Sequence, residues 1–350
     1  MTIPTADIQP GDVLLFHGKG FVSWAIRKID GSEVNHAAIA LADGQLAEAG
    51  GTGLASRAIP TAFSDDNYML VRHHNATDGR DPVLAKANAY LTEHNFYAYQ
   101  QIVLLAFLGL TRQIPARGLA RRMIRSALDH ASSALMNMLP VGKSWMICSE
   151  YVYRCFDEAV DLTPDPWLIE IAGVNYAGPV FGQDSWLDWA MSEGAIVEIG
   201  APSVFAEPLG NAGADAAAED ELAPLIAEWA QYAGVDAGDP LPAGAAAMSF
   251  GLDVDPQDPA TRASAEEEQA DEVSDADLKD SMVRFASTFK TARVSAPGIP
   301  VEFGLIPGSV VATAAKGALD GLRHISVDPN FVTPRDLLVS HSFGEPQRAI

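Results

Sequence analysis

The spacing of apolar and polar residues changes along the chain from strand-like to helical. In the first 75 residues, apolar residues form short β-prone runs separated by turn-forming Pro, Gly and Asp. The predicted strands cover residues 13–16, 36–41, 45–49 and 68–72. From residue 82 the spacing is helical, and helices are predicted over 82–94, over 100–139 with a break near Pro115, and over 147–160. This mixture predicts an α+β fold.

The hairpin made by the second and third predicted strands decides which side chains share a face. A two-residue turn at Asp43-Gly44 would place His36 and Glu48 on opposite faces, because side chains alternate along a strand. A three-residue loop with Gly44 in the left-handed conformation instead pairs residue 38 with residue 48. His36 and Glu48 then lie one diagonal step apart on the same face. We predict the three-residue loop.

Cys148 has the setting of a nucleophile, because it begins the helix predicted over 147–160. The dipole and the free N–H groups at a helix start favour a thiolate and can bind an oxyanion. His36 is the candidate base and Glu48 the residue that orients it. Each residue also has a structural explanation. Cys148 is then a core residue, His36 a histidine whose hydrogen bonds serve the fold, and Glu48 the cap of a turn. Cys155, about two helical turns further on, is predicted to be a core residue.

Charge divides the chain into two unequal halves. Residues 1–150 contain 13 acidic and 13 basic side chains, whereas residues 151–350 contain 33 acidic and 10 basic ones. The second half therefore carries the whole net charge of −23. A nucleic-acid-binding protein needs a basic surface to displace counterions, so this charge balance argues against nucleic-acid binding.

The cysteine count and the N-terminal sequence favour a cytoplasmic location. Two cysteines are too few for a disulfide-stapled secreted scaffold, and the N-terminus has no basic stretch followed by an apolar one. We expect no metal and no cofactor, because CxxC and HExxH motifs are absent and the other histidines lack partners at metal-ligand spacing.

Residues 198–280 form a strongly acidic segment, with 20 acidic and two basic side chains. Two helices are predicted here, at about 216–232 and about 266–291. The stretch between them is rich in Ala, Gly and Pro, which is typical of a linker.

Several segments make the chain resemble the circularly permuted NlpC/p60 papain-like family, in particular its YiiX/YebB-like hydrolases. The segments are QPGDVLLF (9–16), VNHAAIAL (34–41), LAEAGGTGL (46–54), ICSEYVYRCF (147–156) and FVTPRDLLVS (331–340). In that family the His strand precedes the Cys helix, as His36 precedes Cys148 here. The resemblance implies Cys148 as nucleophile, His36 as base and Glu48 as the third, polar member. It also implies a permuted papain-like antiparallel sheet with a helix that carries the cysteine.

The resemblance covers only part of the chain. It implies a catalytic domain made of residues 1–165 and 325–350, interrupted by a partly helical acidic insertion over 166–324. We assign the insertion to no family.

The resemblance implies a cysteine hydrolase that cleaves an amide or (thio)ester bond through an acyl-enzyme, with a peptide-like or lipid-like substrate. Two alternatives stay open at this point. One is a non-catalytic binding or scaffolding protein built on a hydrolase core, and the other is an acyltransferase that uses the same triad.

A basic stretch from Asn95 to Leu128 contains no acidic residue. Its five arginines interleave with apolar residues: Arg112, Arg117, Arg121, Arg122 and Arg125. One interpretation is peripheral contact with an anionic membrane. The other is a lid or support whose arginines face solvent or the acidic second half.

Overall fold

The computed structural model describes residues 1–50, 53–76, 79–93, 96–97, 101–112, 117–138, 144–160, 165–171, 222–227, 273–294 and 332–350. The strands are β1 (Thr2–Ile3), β2 (Val13–His17), β3 (His36–Ala40), β4 (Gln45–Gly50), β5 (Gly53–Ala58), β6 (Tyr68–Arg72), β7 (Phe96–Tyr97), β8 (Ser144–Trp145) and β9 (Gln347–Ala349). The helices are α1 (Phe21–Asp30), α2 (Ile59–Asp65), α3 (Asp81–Glu93), α4 (Gln101–Thr111), α5 (Arg117–Met138), α6 (Cys148–Asp157), α7 (Asp275–Val294) and α8 (Pro334–Val339). The fold is therefore α+β, as predicted.

Seven strands form one sheet in the order β1-β9-β6-β2-β3-β4-β5. Neighbouring strands are antiparallel except β1 and β9, which run parallel. The strands β7 and β8 form a separate parallel pair. The late strand β9 thus lies between two strands from the first quarter of the chain.

Most predicted elements are confirmed, with shifted ends. The four predicted strands are β2, β3, β4 and β6, and the predicted helices correspond to α3, to α4 with α5, and to α6. Pro115 itself lies outside the described residues. Of the two helices predicted in the acidic segment, the second begins at Asp275 rather than near 266, while residues 222–227 of the first are helical. The remaining residues of both predicted helices, apart from 273–274, lie outside the described part of the chain.

The buried apolar residues form three clusters. One face of the sheet packs against α3 and α6, and the other face, which includes Ile3 of β1, packs against α2. The third cluster joins α1, α4, α5 and α7 with residues 222–227, and it also contains Ile147. Ile147 immediately precedes Cys148, so the start of α6 lies where this helical cluster approaches the sheet.

Acidic residues of α7 face the basic helix α5. Arg121 Nη1 lies 2.5 Å from Asp275 Oδ1, and Arg125 Nη1 lies 3.8 Å from Asp277 Oδ2. Arg112, at the end of α4, is buried with its Nη2 3.2 Å from Asp30 Oδ1. The contacts of Arg121 and Arg125 agree with the interpretation in which the arginines face the acidic second half, whereas Arg112 pairs with a residue of the first half. Membrane contact stays a prediction. Within the described ranges, no helix combines the length and the apolar character needed to cross a bilayer.

Arg72 fixes the late segment 337–344 to the sheet. It is 4% exposed at the end of β6 and donates to the backbone carbonyls of five residues: Leu337 (3.2 Å), Leu338, Ser340 (3.0 Å), Phe343 (2.9 Å) and Gly344 (2.9 Å). An aliphatic or neutral side chain cannot supply so many donors. One guanidinium therefore binds five carbonyls of this segment, which is also hydrogen-bonded to Asn75 and to the carbonyl of His73.

Candidate active site

The β3–β4 hairpin has the predicted three-residue loop. The backbone N–H of Leu41 donates to the carbonyl of Gln45 over 2.8 Å, and Ala38 pairs with Glu48. Gly44 is left-handed, with a φ of 67°, and Asp43 also has a positive φ of 58°. Asp tolerates this conformation better than most residues. The loop therefore fixes the register that puts His36 and Glu48 on one face.

His36 and Glu48 meet as this register predicts. Nε2 of His36 lies 2.6 Å from Oε2 of Glu48, and both residues are buried, at 9% and 8% exposed. Burial by itself would raise the pKa of Glu48, but the His36 hydrogen bond and charge, together with Arg57, lower it to about 2. Glu48 is therefore an ionised acceptor for His36 at neutral pH.

Arg57 is a member of this site that the sequence analysis did not identify. Its Nε lies 2.5 Å from Oε1 of Glu48, and its Nη1 donates to Asp65 over 2.7 Å. The signal was present in the sequence: β5 pairs Ala55 with Glu48, so a residue two positions later lies on the same face. Recognising it required treating residues 53–58 as a strand.

Cys148 is the first residue of α6 and is 1% exposed. Ile147 is extended and accepts the first intrahelical hydrogen bond, from the N–H of Tyr151 over 2.9 Å. The helix packs through Tyr151, Val152 and Phe156 against the sheet. Cys155 belongs to the same apolar cluster, and burial raises its thiol pKa, so it is a core residue as predicted.

His36 joins Cys148 to Glu48. Burial by itself lowers the pKa of the imidazole, but a negative charge on Cys148, a hydrogen bond with that residue and the Glu48 carboxylate together raise it to about 10. Because Nε2 is engaged by Glu48, Nδ1 is the ring nitrogen left for the thiol. Both residues are the first of their elements, β3 and α6, so they meet at one end of the sheet. His36 therefore contacts both of the other predicted residues.

Two further side chains with reactive or metal-binding groups, those of Ser149 and His73, have structural partners. Ser149, the neighbour of Cys148, donates its hydroxyl to the carbonyl of Val332 over 2.6 Å and is fully buried. His73 Nδ1 lies 2.7 Å from the buried Asp12 carboxylate. Among the described residues, no group of three His, Cys, Asp or Glu side chains is arranged to hold a metal ion.

The chain is 28% identical over 160 residues to the probable lipoprotein peptidase YaeF of Escherichia coli (strain K12). The match covers 45% of this chain and 58% of the relative, so the chain spans less than two thirds of that protein. No model of a known protein family matches the chain, and no solved structure matches it.

Proposed function

We propose that this protein is a cysteine hydrolase that cleaves an amide or (thio)ester bond through an acyl-enzyme on Cys148. The single observation that carries the proposal is the contact chain from Cys148 through His36 to Glu48, with 2.6 Å between His36 Nε2 and Glu48 Oε2. A nucleophile, a base and a residue that orients the base are the parts that acyl transfer requires.

Each residue has one role in the proposed reaction. Sγ of Cys148 forms a bond to the carbonyl carbon, and the π electrons move to the oxygen. On collapse the carbonyl re-forms, the leaving group departs, and His36 gives it a proton. A water molecule then attacks the thioester while His36 removes its proton, and Cys148 leaves with the acid product released. Glu48 holds the imidazole and stabilises its charged form.

The charge state of His36 supports this role. The imidazole pKa of about 10 means that His36 carries its proton at neutral pH when Cys148 is negatively charged. Such a pair supplies a nucleophile for attack and a proton for the leaving group in the same resting state.

The similarity to a probable lipoprotein peptidase favours a peptide-like substrate. The same similarity favours an NlpC/p60-type hydrolase, and the order His36 before Cys148 favours the circularly permuted papain-like branch. The catalytic domain over 1–165 and 325–350 is part of this proposal. A lipid-like substrate and acyl transfer to an acceptor other than water use the same acyl-enzyme. Product analysis with a peptide, a phospholipid and an added amine acceptor separates these outcomes.

Selective alkylation of Cys148 tests the proposal, and Cys155 supplies the matched control. We expect iodoacetamide at pH 7 to label the Cys155→Ala variant as fast as the wild type and the Cys148→Ala variant far more slowly. His36→Ala should reduce labelling of Cys148 to the rate of a free thiol. Equal labelling rates for Cys148 and a model thiol would contradict the catalytic proposal and favour a non-catalytic binding protein.

A further inference from the structure

Ser149 joins the start of α6 to a segment that lies 183 residues further along the chain. Its hydroxyl donates to the backbone carbonyl of Val332 over 2.6 Å, and both residues are fully buried. Removing the hydroxyl would leave this buried carbonyl without that donor, which is costly in a protein interior. Ser149 therefore ties the residue directly after Cys148 to the late part of the chain.

The segment that accepts this hydrogen bond is itself held in place. Thr333, the next residue, caps α8: its Oγ1 accepts from the N–H of Asp336 over 3.3 Å, and its own N–H donates to Asp336 Oδ2 over 2.6 Å. The Thr333 side chain is also hydrogen-bonded to Asp30 at the end of α1, and Arg112, at the end of α4, pairs with that carboxylate. Val332 is thus adjacent to a residue that is fixed by contacts with α1 and α8.

The other side of the triad is anchored separately. Nε2 of His36 lies 2.6 Å from Glu48, and Nε of Arg57 lies 2.5 Å from the same carboxylate. These three residues belong to β3, β4 and β5, whereas Cys148 belongs to α6. The hydrogen bond between His36 and Cys148 therefore depends on where the first turn of α6 lies relative to the end of the sheet.

A side-chain contact at the second residue of a helix restrains the position of the first residue. Consecutive Cα atoms lie only about 3.8 Å apart. Ser149 is the second residue of α6, so its bond to Val332 restrains both the rotation of the first turn about the helix axis and its position along that axis. Because hydrogen bonds weaken steeply when donor and acceptor are misaligned, a small displacement of Sγ would weaken its contact with His36.

We propose that Ser149 is a positioning residue for the nucleophile: its hydrogen bond to Val332 holds the first turn of α6 where Sγ of Cys148 meets His36. This inference rests on the proposed function. Ser149 exchanges no proton in the reaction and acts only through the placement of its neighbour, in line with the sensitivity of catalysis to small misplacements of the reacting groups.

The variant Ser149→Ala tests this role, and Ser132→Ala is the matched control. Ser132 is 1% exposed and also donates to a backbone carbonyl over 2.6 Å, but its acceptor, Leu128, belongs to the same helix, α5. Burial lowers the pKa of His36, and the charge of Cys148 is the first of the contributions that raise it to about 10. We expect this pKa to fall by about one unit or more in Ser149→Ala, which corresponds to about tenfold weaker stabilisation of the imidazolium. It should not change in Ser132→Ala. NMR titration of the His36 imidazole measures both.

Iodoacetamide labelling measures the same change at the sulfur. In the Cys155→Ala background at pH 7, Ser149→Ala should slow alkylation of Cys148 about tenfold, because the thiolate loses its charged partner. Ser132→Ala should leave the rate unchanged. Thr333→Ala is a second variant, which removes the cap beside Val332 without changing α6. It should shift the His36 titration in the same direction.

A His36 titration and an alkylation rate equal to those of wild type in folded Ser149→Ala would overturn the inference, and so would equal changes in Ser149→Ala and Ser132→Ala. If Ser149→Ala does not fold, an unchanged His36 titration in Thr333→Ala overturns it instead. The proposed function fails in a different way, when Cys148 of the Cys155→Ala protein reacts no faster than a model thiol.

Discussion

Arg57 and His36 hold opposite oxygens of one carboxylate: Nε of Arg57 lies 2.5 Å from Oε1 of Glu48, and Nε2 of His36 lies 2.6 Å from Oε2. Glu48 is thereby fixed at both oxygens in a buried position. Arg57 is therefore a positioning residue, because it contacts Glu48 rather than the thiol of Cys148 or Nδ1 of His36.

Replacing Arg57 by Gln should weaken the hold on Glu48 and raise the pKa of that carboxyl. Arg57 is one of the groups that lower the pKa of Glu48, so in the variant that pKa should rise from about 2. A rise of about one pKa unit corresponds to about tenfold weaker stabilisation of the carboxylate. NMR titration of the Glu48 carboxyl measures this directly. Arg57→Lys should give an intermediate value, because it keeps the charge without the planar contact.

Asp65→Asn is the control for Arg57. Asp65 contacts Nη1 of Arg57 but not Glu48, and its side chain is 59% exposed. It should therefore move the Glu48 titration much less than Arg57→Gln does. Identical titrations in the two variants would show that Arg57 does not act through Glu48.

Hydrolysis of an amide should have an alkaline limit set by His36. The imidazole pKa is raised from 6.5 to about 10, so the proton for the leaving group is present through neutral pH and is lost as the pH rises through about 10. Glu48→Gln removes one negative neighbour, so the alkaline limit should move to lower pH by at least about one unit. The measurement is kcat/KM against pH for both proteins. An unmoved alkaline limit in Glu48→Gln would be inconsistent with His36 as the acid.

Removing the guanidinium of Arg72 should destabilise the fold strongly. Arg72→Met leaves buried backbone carbonyls of the 337–344 segment without donors, and we expect a loss of about 3 kcal/mol or more in unfolding free energy. Arg348→Met, on the neighbouring strand β9, is the matched control. Arg348 stacks over Tyr68 and is exposed, so its loss should cost at most about 1 kcal/mol. Urea denaturation compares the two variants, and equal midpoints would contradict this account of Arg72.

Neutralising the acidic start of α7 should increase binding to anionic vesicles. Asp275 and Asp277 are partners of Arg121 and Arg125 on α5. The double variant Asp275→Asn, Asp277→Asn removes the carboxylates that compete with lipid headgroups for these arginines. It also makes the net charge of the protein less negative by two. Co-sedimentation with vesicles of phosphatidylserine and phosphatidylcholine should show stronger binding by the variant, and phosphatidylcholine alone should show no difference. Equal binding of both proteins to the anionic vesicles would remove the membrane role of these arginines.

The local part of the site was predictable because it depends on short-range geometry. Gly44 fixes a three-residue loop, the loop fixes the register, and a period of two then places His36 and Glu48 on one face. The start of α6 at Cys148 follows in the same way from local helical spacing.

The unpredicted parts depend on contacts between distant residues. The contact of Arg57 with Glu48 follows from the pairing of β5 with β4, and the sequence analysis did not predict β5. The parallel pairing of β1 with β9 joins residues 2 and 348, and no local pattern specifies it.

The position of β9 has a consequence for the integrity of the chain. β9 is bonded to β1 on one side and to β6 on the other, and Arg72 holds the residues that lead into it. A single proteolytic cut between residues 172 and 272 would leave residues 332–350 in the C-terminal fragment. Through β9, that fragment would stay bound to β1 and β6 of the N-terminal fragment without a covalent link. Since Cys148, His36 and Glu48 all belong to the first fragment, we expect the nicked protein to survive as a two-piece complex with its triad intact.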